Sequence, residues 1–371
     1  MKKIKIIFLI IVLLSLTGCS YVELNKMAIV SALGIDYKNK EYQITAQVMD
    51  IKKTEGNGSI QTSLIYEASG KTIGQAIRNL SEKYPKTVYL GHLEIIILGK
   101  EVAENKINDI FDFIFRSPEV RATGNVLINK EQTAKETLKP ENEKENSFAT
   151  EQIKSSLENA TKRTGTVKLI TFEDLLQDYL KKGIDPVVPL IKISKNSNET
   201  SNTIISTLAV LNNNKIQKEF TKEESIAYNT LNENYDDVVI TPKYKNQTIG
   251  VILFNPTSKI ETKIKNNEIY TNINIQVETK INEVNQKINP NDKQTNKELE
   301  NIIKNEIESY IKSLIIYSKD TNSDILGIEN NIYKNYYKEY SKYKNKNLYQ
   351  NIKINVKTKI YRSGNSNKGA I

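Results

Sequence analysis

The sequence predicts a mixed α+β protein of more than one domain, with sheets packed against amphipathic helices. Three observations lead there. Apolar strand-like runs alternate with helix-period stripes through the first half. The second half sets alternating strands around one long apolar stripe, the pattern of an antiparallel α+β domain. Polar, turn-rich stretches break the chain between them, and 371 residues suffice for two or three domains.

In the first half, Tyr42, Ile44, Ala46 and Val48 alternate with polar neighbours, which predicts a half-buried strand. Ile73, Ala76, Ile77 and Leu80 share one face of a helix over Thr72–Tyr84, and Pro85 ends it. Glu94–Leu98 (EIIIL) reads as a more fully buried strand. Ile107, Ile110, Phe111 and Ile114 predict a second helix over Ala103–Arg116, and Val126–Ile128 returns to strand. In the second half, Thr207–Leu211 and Gly250–Phe254 are short apolar strands. Ile273, Ile275 and Val277 alternate with polar residues, so that sheet has one wet face. A long helix runs from Asn296 to about Ser318, and a last strand holds Ile352, Ile354, Val356 and Ile360.

The stretch Lys192–Asn202 (KISKNSNETSN) follows DPVVPLI and has no apolar face, so it predicts a boundary. The expected division is a leader over 1–18, an N-terminal mixed region over 19–195 that is single or composite, a linker over 196–203, and a C-terminal α+β domain over 204–364.

The leader rests on its own residues. Lys2, Lys3 and Lys5 precede nine apolar residues, Ile6–Leu14. A bilayer span needs about 20, so the run fits the core of an export signal instead. Leu16, Thr17 and Gly18 then stand before Cys19, the only cysteine. Small side chains there let a peptidase close on extended backbone, and a cysteine after the cut offers a thiol for lipid. Cys19 therefore reads as a lipid attachment site; an ordinary cleaved signal also fits these residues. One acyl chain holds a protein to a bilayer marginally and two hold it stably, each buried methylene contributing about 0.8 kcal/mol.

Charge and thiol content exclude several classes. The net charge is +9, and removal of residues 1–18 takes away three lysines and no acid, leaving +6. Of 53 basic residues only five are arginine, the side chain that reads phosphates and base edges bidentately, and nucleic-acid binding is disfavoured. One cysteine allows no disulfide framework. His92, in LGHLEIII, is the only histidine; without a partner it reads as a turn or packing residue rather than a base or metal ligand. No GxGxxG, GxSxG, HExxH or Walker loop occurs. The acidic pairs Glu223–Glu224 and Asp236–Asp237 read as solvated loops, and Arg116 reads as a partner of Asp112 at a helix end. The run Ile332–Tyr349 interleaves six tyrosines with lysines and suits a partly buried intramolecular interface. These residues assign no catalytic, metal or cofactor site.

Several segments together resemble one family. They are LTGC, Glu23–Asp36 (ELNKMAIVSALGID), Tyr89–Ile128, DPVVPLI (Asp185–Ile191), SDILGIE (Ser323–Glu329) and Ile354–Gly364, in order along nearly the whole chain. The chain is similar to the Ger(x)C family, the lipoprotein C subunits of bacterial spore germinant receptors. It departs from that family at Ser20–Glu23, where WDxRE is common, and at Ile328–Glu329, where Phe-Gly is common. The resemblance implies a multi-domain, non-enzymatic subunit with a diacylglyceryl group on Cys19. It would be tethered at the outer face of the inner spore membrane, beside A-type and B-type integral membrane subunits. Contact with a small-molecule germinant is left open. A lipid-anchored solute-binding protein and an exported envelope enzyme are the alternatives.

Overall fold

The structure, a computed structural model, describes residues 26–53, 59–131, 133–138, 149–195, 201–284, 288–290, 292–343 and 347–361. Cys19 and the leader lie outside them. Two main sheets organise the described chain. The larger has the order β3-β2-β1-β5-β6-β7-β8-β9. These strands are β1 Met27–Lys38, β2 Glu41–Lys53, β3 Ser59–Gly70, β5 Ile95–Gly99, β6 Asn125–Asn129, β7 Val187–Lys195, β8 Ser201–Asn212 and β9 Lys215–Glu219. Strand β4, Thr87–Tyr89, pairs with β1. The centre, β1-β5-β6-β7, is parallel, and antiparallel hairpins flank it. Parallel neighbours need crossovers; three helices that the sequence did not predict lie between β6 and β7, while the predicted ones lie between β1 and β5 and between β5 and β6.

Those helices form largely where the apolar spacing puts them. Helix α1, Ile73–Lys83, starts at Thr72, whose side chain accepts from Gln75 N–H. The stripe expected to be one helix over Ala103–Arg116 is two, α2 (Lys100–Asn105) and α3 (Ile107–Arg116). Lys106 between them leaves the helical region at φ −132° and ψ 13°, and its N–H still bonds Val102 O. Helices α4 (Ala134–Leu138), α5 (Ala149–Asn159) and α6 (Phe172–Leu180) complete this half. The expected linker joins β7 to β8: Lys195 pairs with Ser201, and residues 196–200 lie outside the described chain.

The second sheet has the order β10-β13-β14-β15, from Asp237–Ile240, Gly250–Lys265, Glu268–Glu283 and Asn351–Ile360. A short hairpin, β11 (Lys243–Tyr244) with β12 (Gln247–Thr248), lies between β10 and β13 in the chain. Helix α7 (Lys222–Leu231) carries a capping box between Thr221 and Glu224. The long helix α8, Lys293–Asp320, buries Leu299, Ile303, Ile307, Ile311 and Leu314 as its stripe predicts. This half is α+β as expected, with one difference. β15 runs parallel to β14, because the chain crosses over through α8 before returning. Asparagine pairs turn several hairpins: Asn213–Asn214 and Asn266–Asn267 all have positive φ, the conformation that two-residue turns require.

Strand β5 divides two cores. Its alternating side chains send Ile96 and Leu98 to a cluster under α1, α2, α3 and α6. Ile95 and Ile97 go to a second cluster that continues without interruption into α7, α8 and the second sheet. All four are fully buried. Among the described residues no helix is long and apolar enough to cross a membrane.

Candidate functional site

Two pieces of the sequence that carry the family resemblance, DPVVPLI and SDILGIE, meet in space. Asp185 stands before Pro186, which holds it extended at the start of β7. Asp324 follows the end of α8, where Asn322 adopts φ 49° and Ser323 N–H returns to Ser318 O at 2.9 Å. Although 139 residues apart, the two aspartates bond crosswise. Asp324 N–H donates to Asp185 Oδ2 at 2.6 Å, and Asp185 N–H donates to Asp324 O at 2.9 Å. Asn212, the last residue of β8, donates through Nδ2 to Asn322 O (2.8 Å), Ser323 Oγ (3.1 Å) and Asp185 Oδ2 (3.4 Å).

The Asp324 carboxylate serves the next helix. Gly327 takes φ 65° and opens α9, Ile328–Asn335. The first turn of any helix leaves N–H groups unpaired. Here Glu329 N–H donates to Asp324 Oδ2 at 2.6 Å, and Asn330 N–H donates to Gly183 O at 2.8 Å. Asn330 Nδ2 also reaches Lys182 O at 2.6 Å. Gly183 itself has φ 70°, and a Cβ there would lie 2.6 Å from Asn330 N, so no other residue fits without displacement. Tyr349 OH donates to Asp324 Oδ1 at 2.7 Å.

Asp185, Asn322, Ser323, Asp324 and Tyr349 line a polar cleft of 530 Å³, with Lys319 and Glu329 among its walls. Burial pushes the Asp324 carboxyl up to about 6, against the opposing pull of the Glu329 N–H and the Tyr349 hydroxyl. Asp185 is raised for the same reason, burial, with the Asp324 N–H opposing. Tyr349 is raised well above its ordinary value by burial and by the Asp324 charge beside it. Every named bond to these carboxylate oxygens comes from the protein's own backbone N–H groups, the Tyr349 hydroxyl or the Asn212 amide. The arrangement joins the two halves; it presents no nucleophile with an adjacent base.

A second meeting repeats the device. Asp36, which ends ALGID, accepts from Ala134 N–H (2.9 Å) and Lys135 N–H (3.1 Å) at the start of α4. Gly99, in the LGK turn, leaves room for it: a Cβ there would stand 1.9 Å from Asp36 Oδ1.

The other sequence-flagged residues take structural places. His92 sits exposed in a turn before β5. Arg116 Nε bonds Asp112 Oδ1 at 2.6 Å on an exposed helix end. Glu224 caps α7 and accepts from Ser313 Oγ of α8 at 2.8 Å, while Asp237 pairs with Arg163. Of the tyrosine run, Tyr343 and Tyr349 are buried, Tyr333 stacks edge-on with Tyr337 and Tyr340, and Tyr337 is exposed. The sequence pointed to no contact for Asp185, Asp324 or Asn212, and placed Tyr349 only within a partly buried tyrosine interface. One signal was available: Asp324 stands directly before a short apolar run, ILGI.

Two family models match the chain, one in each half. Residues 20–193 match the family model described as spore germination protein N-terminal domain. Residues 206–364 match the one described as spore germination B3/GerAC-like, C-terminal. The chain belongs to the Ger(x)C family. Among curated relatives, spore germination protein KC of Bacillus subtilis (strain 168) is 22% identical over 89% of this chain and 87% of its own. Spore germination protein GerQC of Bacillus cereus is 25% identical over 73% of this chain and 75% of its own. YfkR of Bacillus subtilis (strain 168), named as a candidate spore germination protein, is 26% identical over 60% of this chain and spans 59% of its own length in the match. The crystal structure of the GerBC protein superposes with a TM-score of 0.54 at 16% identity, covering 89% of this chain and 97% of that one, so the Ger(x)C fold is shared.

Proposed function

We propose that this Ger(x)C chain is a non-catalytic, lipid-anchored subunit of a spore nutrient germinant receptor. In this reading a diacylglyceryl thioether on Cys19 holds it at the outer face of the inner spore membrane. There it acts with integral membrane subunits of A and B type. The observation that carries the reading is the coincidence of the LTGC leader with family matches along both halves. Cys19 stands seven residues before Lys26, a reach of at most about 25 Å, so the tether keeps the folded body within that distance of the lipid. Confinement to so thin a layer raises the effective concentration of its partners, and modest contacts then suffice for assembly.

A solute-binding protein would close two lobes over a ligand. The core that runs unbroken from β5 into α8 opposes such a hinge. The role of the aspartate clasp here is to hold the two halves in one body.

The test is Cys19→Ala in sporulating cells. The variant is expected to leave the membrane fraction, to stop co-purifying with polytopic subunits and to blunt the nutrient response. A variant that stays in the membrane fraction defeats the anchor. One that leaves it yet still co-purifies with the same partners and germinates normally defeats the confinement argument.

A further inference from the structure

We propose that the Asp185–Asp324 clasp is a proton-operated latch. With Asp324 protonated, the segment Thr321–Glu329 is held shut against the start of β7; with Asp324 ionised, it opens more readily. The geometry supplies the parts. Asp324 is only 6% exposed, yet it borders a cleft through which water and protons reach it. Four titratable groups face it from separate elements. Asp185 comes from the turn before β7, Glu329 from α9, Tyr349 from the segment before β15, and Lys319 from the last turn of α8. Three of these walls are thus acids or a phenol against one lysine, and the like charge of Asp185 acts on Asp324.

Each protonation state has its own bonding. Ionised, Asp324 accepts from Tyr349 OH and from Glu329 N–H. Protonated, it can give its own proton to the Tyr349 oxygen, since a phenol accepts as well as donates, and still accept from Glu329 N–H. The neutral form therefore keeps its partners and sheds the burial penalty on charge.

The sign follows from linkage. In the closed segment Asp324 holds its proton up to about pH 6, whereas in the opened segment it returns towards the ordinary 3.8. Between those values the open form sheds protons that the closed form keeps, so rising pH favours opening and the effect levels off above about 6. A separation of that size multiplies the opening equilibrium by roughly fifty between pH 4 and 6.5.

Hydrogen exchange on the full lipidated chain in detergent micelles reads this directly. Rates are corrected for the intrinsic pH dependence of amide exchange. Protection at the amides of Asp185, Asp324, Glu329 and Asn330 is expected to fall about fifty-fold from pH 4 to 6.5, while that of Ile96 and Ile97 in β5 stays level. Asp324→Asn should cut the fall to ten-fold or less, and Tyr349→Phe, which removes a donor to the carboxylate, should move the window to higher pH. Level protection at the clasp amides of the unsubstituted chain overturns the proposal. So does a fall of the full size that persists in Asp324→Asn. If Asp324→Asn does not fold, Tyr349→Phe decides: an unmoved window overturns it.

Discussion

Strand β5 and the clasp at Asp324 are both buried, and they are held by opposite physics. In β5, four isoleucine and leucine side chains divide between two cores and need only apolar neighbours. In the clasp, a carboxylate is enclosed and each of its oxygens must find a donor from a particular element. The difference teaches where stability resides and where change is possible. Apolar burial is indifferent to pH and tolerant of which neighbour supplies the contact. A buried acid is neither.

The comparison can be sharpened by substitution, beginning with the strand. Ile97→Ala removes a fully buried side chain from the core that joins both halves, and it should destabilise by about 4 kcal/mol in denaturant unfolding, with no pH dependence of the loss. A loss below about 1 kcal/mol would mean that this core is not close-packed. Gly183→Ala comes next. It places a Cβ against Asn330 N at a backbone with φ 70°, and should destabilise by about 2–3 kcal/mol while raising exchange at Asn330 first. Unchanged stability would show that the turn and α9 separate freely. Smallest is Arg116→Ala, which breaks an exposed ion pair with Asp112 and should change stability by less than about 0.5 kcal/mol. A larger loss would assign that helix end a role that its exposure does not suggest.

The same contrast explains what could be read in the chain. EIIIL announced a buried strand because each of its residues carries the signal locally. The long helix and the wet-faced sheet were legible for that reason too. The split at Lys106 was not, because the apolar stripe continues across it and only backbone geometry breaks. The parallel docking of β15 depends on where α8 returns the chain, which no local pattern encodes. Asp185 and Asp324 stood inside segments that carried the family resemblance, yet their meeting is a tertiary event across 139 residues. An acid set directly before Ile325, Leu326 and Ile328 was the only hint.

In the proposed reading, function hangs on Cys19, which lies outside the described residues. The folded halves explain how the particle coheres; Cys19 is what would put it beside its partners. Intact-mass analysis of the mature chain from spore membranes addresses that most directly. The account predicts an amino terminus at Cys19 carrying a diacylglyceryl mass on its sulfur. A mature chain with a free Cys19 thiol, or one cut elsewhere, contradicts it.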